Sequence, residues 1–229
     1  MLKETVKNTE VVIAALNEET GVGLTIDEMS KYLLADRIMV VDGHSIDKTI
    51  AVAKDRGAGI LTQKGIGKGD AILTAVKNLQ PQTDYVVFTD ADYTYPAEFV
   101  PSMLELLEQY PEVGMVCGNR LSGEVNDRAL RTQFYLGNKM LCFAHNLLNG
   151  VGLQDPLTGL RVIRAEILRN WNVKSKGFDI EVELNNLVRR LGYFTVEIPI
   201  EYRERIGEKK LKVKHGITIL KRILIETVS

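Results

Sequence analysis

The sequence is poor in several features that mark special classes of protein. Its 229 residues include only 2 cysteines, 6 prolines and 1 tryptophan. Cys117 and Cys142 are too few for a disulfide framework or a cysteine zinc site, and they suggest a reducing compartment. The longest clear apolar run, 11–16, is far shorter than the about 20 residues of a membrane span. The N-terminus has no apolar signal core, so we expect a cytoplasmic protein without a transmembrane domain.

An excess of charge of one sign is also absent. The chain has 29 basic and 30 acidic residues, and a net charge of −1 argues against a nucleic-acid partner. An apolar fraction of 45% excludes disorder and, at this length, predicts one globular domain. One asymmetry stands out, because eight basic and two acidic residues occur between Arg203 and Arg222.

Short apolar runs alternate with helical patterns in the first half of the chain. This alternation predicts βαβ units and an α/β fold with a mostly parallel central sheet flanked by helices. The predicted strands are 10–15, 37–41, 59–61, 85–89 and 113–117. The predicted helices run to about Leu34 after a capping box at Thr25 and Glu28, from Asp47 to Arg56, and over 68–79 and 97–109. The second half predicts helices over 131–148, 179–191 and 212–226, with strands at 161–163 and 195–200.

Polar residues follow the ends of the first four predicted strands. In an open α/β sheet, ligands bind outside the carboxyl ends of the strands. Acidic groups at three of these ends and a glycine-rich basic loop at the fourth therefore predict a ligand site on one rim. The four segments are Asn17-Glu18-Glu19, Asp42-Gly43-His44-Ser45, Gln63 to Gly69, and Asp90-Ala91-Asp92.

The pair Asp90 and Asp92 is the strongest local signal. Two carboxylates separated by one residue after an apolar strand can share a hard divalent cation, which then bridges phosphate oxygens. The alternative is a turn-and-cap pair of aspartates before Pro96. The context of the other strand ends favours the metal interpretation.

The glycine-rich loop fits neither of two familiar phosphate motifs. A P-loop requires Ser or Thr after its Gly-Lys, but Gly69 follows Lys68. A dinucleotide fingerprint fails as well, because Ile26 stands where its third glycine belongs. Lys64 and Lys68 remain as cations that could neutralise phosphate charge, with a solvated turn as the alternative. The histidines support no nucleophilic triad, and His145 is interpreted as a packing residue.

Two cationic stretches follow in the second half. Arg120, Arg128, Arg131 and Tyr135 would suit a phosphate or diphosphate, unless they form a solvated helix face. In the predicted last helix, Val213, Ile217, Leu220 and Leu224 form an apolar stripe flanked by lysines. This helix either lies on an anionic membrane surface or packs on its own domain.

These motifs together resemble the family 2 inverting glycosyltransferases with a GT-A fold. Within that family the chain looks like the polyprenyl- or dolichyl-phosphate sugar synthases, and Asp42-Gly43-His44-Ser45 looks similar to archaeal enzymes of protein N-glycosylation. The resemblance extends from about residue 9 to 211. It is carried by the rim segments above and by Gly118-Asn119-Arg120, Asp155 to Arg161, Gly177 to Glu181, Ile198-Pro199-Ile200, Arg205-Ile206-Gly207 and Lys210-Leu211.

The resemblance implies a GT-A (Rossmann-like) catalytic domain over 1–211 and a basic amphipathic helix over 212–229. It implies transfer of a hexose from a nucleoside-diphosphate sugar, with UDP favoured over GDP-mannose, to dolichyl or polyprenyl phosphate at the cytoplasmic face of a membrane. Mg²⁺ or Mn²⁺ would lie on Asp90 and Asp92, and Asp155 and Glu181 would line the sugar side. The implied nucleotide-binding residues are Ala15, Asn17, Glu18, Asp42, His44, Lys68, Gly69, Asp90, Ala91, Asp92, Arg205 and Lys210. The implied acceptor-phosphate residues are Arg120, Arg131 and Tyr135.

Three positions depart from the family pattern: Ala14 replaces a frequent proline, Thr94 a glutamine and Tyr135 a serine. Many relatives also continue into transmembrane helices. Two other functions therefore stay open. One is a family 2 transferase acting on a soluble sugar or glycan hydroxyl, which would need Asp155 or Glu181 as a base. The other is a non-catalytic protein that binds nucleotide sugars.

Overall fold

A computed structural model describes residues 8–122, 133–208 and 210–228. Within these ranges the side chains of residues 133–135 and 213 are not described. Arg128 and Arg131 lie outside the described residues, as do the side chains of Tyr135 and Val213. The rest of the predicted site falls within them.

The centre of the molecule is a seven-stranded sheet of order β3-β2-β1-β4-β6-β5-β7. Strand β6 is antiparallel to both of its neighbours, β4 and β5, whereas the other adjacent pairs are parallel. The predicted mostly parallel sheet is therefore confirmed. The strands are β1 Thr9–Ala15, β2 Ile38–Asp42, β3 Gly59–Thr62, β4 Tyr85–Asp90, β5 Val113–Asn119, β6 Arg161–Arg164 and β7 Phe194–Pro199.

Helices cover both faces of this sheet. Successive side chains of a strand point to opposite sides, so one apolar strand packs against both helix layers. Val11 and Ile13 of β1 pack in one apolar cluster with α1, α2 and α4, while Val12 packs in the other with α3, α6 and α7. The helices are α1 Val22–Met29, α2 Thr49–Asp55, α3 Lys68–Lys77, α4 Val100–Gln109, α5 Gln133–Asn149, α6 Ala165–Arg169, α7 Ile180–Arg190 and α8 Val213–Thr227.

The capping box predicted at Thr25 and Glu28 is wrong. Helix α1 begins at Val22, so Thr25 lies inside it and its hydroxyl donates to the carbonyl of Gly21. Glu28 instead accepts two hydrogen bonds from Arg203, both of 2.7 Å. The helix also ends at Met29 rather than near Leu34. The short helix α6 was not predicted.

Helix α8 packs against α5 and α7, and the residues that make this contact differ from the predicted stripe. Ile219 and Ile223 are buried in a cluster with Val182 of α7. Ile217 is 75% exposed and lies on the opposite side of the helix. The predicted stripe is therefore the outer face of α8. Among the described residues, no helix combines the length and hydrophobicity needed to cross a bilayer.

Candidate functional site

The loops that carry the predicted site residues share one rim of the sheet. Strands β1 to β4 are parallel, and β5 and β7 run in the same direction because β6 is antiparallel to both β4 and β5. The segments that follow these strands therefore lie at the same edge. The segment containing Asp155 precedes β6 and reaches that edge too.

The loops after β1 and β2 are joined by hydrogen bonds of the side chains predicted to bind the nucleotide. The carboxylate of Asp42 accepts the backbone N–H groups of His44 at 3.0 Å and of Ser45 at 3.2 Å. Ser45 Oγ accepts the N–H of Asn17 at 2.9 Å, and Asn17 Oδ1 accepts the N–H of Ile46 at 2.8 Å. Asn17 and Asp42 thus hold the shape of the rim. The other predicted nucleotide residues there, Ala15 and Ala91, are buried at the strand ends.

Three residues beside the site have left-handed backbone conformations without being glycine. The φ angles are 50° at Asn17, 69° at His44 and 63° at Tyr93. Such conformations cost on the order of 1–3 kcal/mol each and concentrate at functional sites. The His44 ring also reaches the next loop, since Nε2 lies 3.3 Å from the carbonyl of Gly65.

The glycine-rich loop of residues 63–69, which we call the Gly-Lys loop, approaches the chain that precedes α7 so closely that only glycine fits at two of its positions. A Cβ on Gly69 would lie 2.1 Å from the carbonyl oxygen of Ser175, and one on Gly67 2.4 Å from that of Lys176. The N–H of Gly69 donates to the carbonyl of Lys176 at 3.0 Å. This contact fixes the start of α3 and with it Lys68.

Lys68 links two carboxylates at the centre of the rim. Its Nζ lies 2.7 Å from Asp90 and 2.8 Å from Glu181. Burial alone would lower the pKa of Lys68, but the two carboxylates outweigh it and raise the pKa. The same ion pair lowers the pKa of Asp90 against the effect of its own burial. The sequence indicated Lys68 and Asp90, but not that they bind each other.

Arg205 makes the equivalent contact on the other aspartate. Its guanidinium donates to Asp92 at 2.7 Å and also to Glu18. Burial raises the pKa of Glu18 to about 7, and burial together with the neighbouring Asp90 raises that of Asp92. One oxygen of Glu18, Oε2, is buried and has no hydrogen-bond partner in the part of the chain that the structure describes.

Arg205 belongs to residues 202–208, which we call the strap. The strap leaves the end of β7 and lies along the segment after Asp92: the N–H of Arg203 donates to Thr94 O at 3.0 Å, and that of Ile206 to Asp92 O at 3.2 Å. Lys210 follows, and its Nζ donates to the carbonyl of Asn17 at 3.2 Å. The basic residues near the C-terminus thus cross the mouth of the site.

Asp90 and Asp92 fit a magnesium or manganese ion only as part of a larger ligand set. They supply hard carboxylate oxygens, and each is now neutralised by a cationic side chain. Over residues 8–122, 133–208 and 210–228, no group of three or more His, Cys, Asp and Glu is arranged to hold a metal. Mg²⁺ is typically bound by one or two carboxylates plus substrate phosphates. The two aspartates therefore fit an ion that arrives with a diphosphate.

A further ion pair joins Arg120 and Asp155. Arg120 Nε and Nη2 each donate to Asp155 at 2.7 Å, and the backbone N–H of Arg120 adds a bond of 3.0 Å. The phenol of Tyr95 contacts Arg120 Nη1 at 3.3 Å, and the ring of Tyr202 lies under the guanidinium. Glu197 holds Asp155 from behind by accepting its backbone N–H at 2.7 Å. The sequence did not indicate that Tyr95, Tyr202 and Glu197 contact Arg120 and Asp155, because these contacts depend on how distant loops meet.

His145 is fully buried in α5. Its ring nitrogens lie 3.1 Å from Asn149 Nδ2 and 3.2 Å from Asn185 Nδ2. Burial lowers the pKa of His145 to about 4, with a smaller effect of Arg161. Its interpretation as a packing residue is therefore confirmed.

Comparison with known proteins agrees with this geometry. The model of the family "Glycosyl transferase family 2" matches residues 10–171. A dolichyl-phosphate hexose transferase of Haloferax volcanii is 34% identical over 218 residues, covering 92% of this chain and 90% of that protein. An undecaprenyl-phosphate mannosyltransferase of Micrococcus luteus is 28% identical over 218 residues, covering 87% and 86% respectively.

Among solved structures, glucosyl-3-phosphoglycerate synthase from Mycobacterium tuberculosis, in complex with Mg²⁺ and UDP, superposes with a TM-score of 0.79. The match covers 100% of this chain and 84% of that one, at 23% identity. This likeness shows the fold, which is the expected GT-A-like arrangement of a mostly parallel sheet and flanking helices.

Proposed function

This chain is a member of glycosyl transferase family 2, and we propose that it transfers a hexose from a nucleoside-diphosphate sugar to a polyprenyl phosphate, with inversion. The relatives named for dolichyl-phosphate hexose transfer and undecaprenyl-phosphate mannosyl transfer support this acceptor class. A UDP-hexose is the proposed donor, with GDP-mannose as the alternative.

The observation that carries the proposal is the pairing of both carboxylates that could otherwise act as a base. Asp155 makes a two-point salt bridge to Arg120, and Glu181 is bound to Lys68. A sugar hydroxyl needs a free base to accept its proton. A phosphate acceptor is already an anion near neutral pH and needs none. The ion pairs thus favour a phosphate acceptor over a hydroxyl.

The donor diphosphate is proposed to bind where Lys68 and Arg205 now neutralise the aspartates. When bound, Mg²⁺ or Mn²⁺ would supply charge stabilisation for the leaving nucleoside diphosphate, held by Asp90 and Asp92. Lys68 and Arg205 would then turn their charge from the aspartates toward the diphosphate oxygens. Catalysis would rest on positioning and charge neutralisation.

Arg120 lies at the acceptor side of this arrangement and is the proposed contact of the lipid phosphate. Among the described residues, its Nη1 hydrogen-bonds to the phenol of Tyr95, whereas Nε and Nη2 are bound to Asp155. We propose that Asp155 fixes the plane of the guanidinium while Nη1 is offered to the phosphate. Arg131 and Tyr135 stay predicted as further contacts.

The outer faces of α5 and α8 are proposed to rest on an anionic lipid bilayer. We call them the two-helix face. Phe143 is 68% exposed, and the other α5 members follow the spacing of one helix side. Lysines flank this apolar surface on both helices, which matches anionic headgroups in charge. The face comprises Leu136, Met140, Phe143 and Leu147 of α5 and Ile217, Leu220 and Leu224 of α8, flanked by Lys139, Lys212, Lys214 and Lys221.

The transfer is tested by incubating the full chain with dolichyl phosphate, Mn²⁺ and one labelled sugar donor at a time. We expect label in the lipid fraction with a single preferred nucleotide, and mass spectrometry should give the mass of a dolichyl-phosphate hexose. Label transferred only to water or to soluble sugars would contradict the proposal. Sedimentation with vesicles rich in phosphatidylserine, against neutral vesicles, tests the two-helix face separately.

A further inference from the structure

The inner side of helix α8 forms ion pairs with acidic residues at the start of α7. Arg222 lies on that side, next to Ile223, and only 11% of its side chain is exposed. Its Nε donates to Asp179 at 3.1 Å. Its Nη2 lies 3.9 Å from Glu183 and its Nη1 3.6 Å from Glu226. One guanidinium thus lies within 4 Å of three buried carboxylates, of which Glu226 also pairs with Arg190.

Two of these carboxylates organise the chain between α6 and α7. Glu183 accepts the N–H of Lys174 at 2.9 Å and that of Ser175 at 2.7 Å. Asp179 accepts the N–H of Gly177 at 3.1 Å. Residues 174–177, which we call the hinge segment, are therefore held through acidic groups whose charge Arg222 balances.

The hinge segment in turn holds the Gly-Lys loop. The N–H of Gly69 bonds to Lys176 O, and the loop glycines pack against hinge carbonyls at distances that leave no room for a side chain. Glu181, in the first turn of α7, binds Lys68 of this loop directly at 2.8 Å. Asp179 and Glu183 are four residues apart and face Arg222, while Glu181 lies between them and faces the site.

We infer that Arg222 is a positioning residue for the donor site. It balances Asp179 and Glu183, which hold the hinge segment against the Gly-Lys loop and so place Lys68 beside Asp90. Without the guanidinium, two buried carboxylates of α7 lose their nearest cation, and buried unpaired charge strongly favours rearrangement. The inference rests on the proposed function only in taking Lys68 and Asp90 as the place where the donor diphosphate binds.

The test compares Arg222→Met with two variants of adjacent residues in the full chain. Lys221→Met removes a neighbouring positive charge on the exposed side of α8. Ile223→Ala loosens the packing of α8 without touching the acidic groups. The first readout is hydrogen exchange of residues 64–70 and 174–178 without ligand. We expect Arg222→Met to speed exchange in both segments about tenfold, a coupling of ordinary size. Lys221→Met should leave both unchanged.

The second readout is the dissociation constant of UDP and of GDP, each with MnCl₂, by calorimetry. Arg222→Met should weaken the nucleotide that the wild type binds about tenfold, and Arg222→Lys should restore part of the loss because it returns a charge to Asp179. If Arg222→Met does not fold, Arg222→Lys against the wild type carries both readouts, with two- to threefold effects expected.

Two results would overturn the inference. One is unchanged exchange in both segments in Arg222→Met. The other is equal loosening in Ile223→Ala, because the effect would then follow from the packing of α8 alone. If the wild type binds neither nucleotide, the proposed donor site fails, and the exchange data still decide the role of Arg222.

Discussion

The rim at the carboxyl ends of the strands and the two-helix face present chemically different surfaces to the solvent. At the rim, charged groups are bound to one another: Lys68 lies between Asp90 and Glu181, and Arg205 between Asp92 and Glu18. On the two-helix face, large apolar side chains have no cover among the described residues. The charged groups of the rim are paired with one another, whereas the two-helix face exposes apolar surface that gains free energy when it is covered.

The difference shows what each region requires of a ligand. A ligand at the rim must replace existing ion pairs, so it must bring both a positive charge for the aspartates and a negative charge for Lys68 and Arg205. A metal-bound diphosphate has this composition. A ligand at the two-helix face needs an apolar interior to accept the exposed side chains and negative charge to pair with the lysines. An anionic bilayer has both. The two surfaces therefore suit a donor from the aqueous phase and an acceptor from the lipid phase.

The largest effect should come from removing one carboxylate at the rim. Asp90→Asn and Asp92→Asn should each lower lipid-linked sugar transfer roughly 10²–10³-fold, because charge stabilisation of the leaving group is lost. Thermal unfolding should change less than activity, since Lys68 keeps Glu181 and Arg205 keeps Glu18 as a partner. Asp36→Asn, at an exposed position, is the control. Near-full Mn²⁺-dependent activity in both rim variants would contradict the assignment of these residues.

The inner and outer sides of α8 should separate stability from membrane binding. Ile223→Ala should lower the free energy of unfolding by about 2–5 kcal/mol, because Ile223 is fully buried. Leu224→Ala, one residue further, should change it by less than about 0.5 kcal/mol. Sedimentation with anionic vesicles should rank the variants the other way. At a temperature where both are folded, Leu224→Ala should bind the vesicles more weakly than Ile223→Ala. Equal vesicle binding by Leu224→Ala and the wild type would remove α8 from the proposed face.

Acid should weaken the helix layer behind the two-helix face through His145. Its pKa is about 4 in the folded protein against an ordinary 6.5, so between these values the unfolded chain binds the proton and the folded chain does not. The free energy of unfolding should therefore fall as pH falls through this window, by up to about 1.4 kcal/mol per pH unit and roughly 3 kcal/mol in all. Urea unfolding of the wild type and His145→Gln, at about pH 7 and about pH 5, measures the difference in slope. Parallel slopes would contradict this assignment.

The rim could be predicted from the sequence because its parts are local. Each of the strands β1 to β4 is a short apolar run followed at once by its polar loop. Parallel topology then brings those loops together without further information, as for Asp42 and Asp90. The helix predicted from Asp47 to Arg56 is also found, but it begins at Thr49 with Lys48 as its N-cap, and Asp47 accepts the N–H of Thr49 from just outside the helix.

The ion pairs could not be predicted, because their partners are far apart in sequence. Arg205 and Asp92 are separated by 113 positions, and Arg203 and Glu28 by 175. Local propensity made Glu28 part of a capping box, but the helix begins at Val22 and Glu28 binds Arg203 of the strap instead. Helix α8 was ambiguous in another way, because it is apolar on two sides. Periodicity identified the side of Ile217 but not which side faces α5 and α7.

The smallest effect concerns Arg205, and it tests most directly whether the ion pairs within the rim compete with a metal ion. Its guanidinium lies on Asp92 and Glu18, where it opposes the binding of a free cation. Arg205→Met should therefore bind Mn²⁺ alone several-fold more tightly, an effect of about 1 kcal/mol, read from the spin-resonance signal of unbound Mn²⁺. It should bind Mn²⁺-UDP more weakly, because the diphosphate loses a cation. Arg203→Met is the control, because Arg203 belongs to the same strap but pairs with Glu28. This variant should change neither dissociation constant. Weaker Mn²⁺ binding in Arg205→Met would mean that the strap supports the metal site rather than competing with the ion.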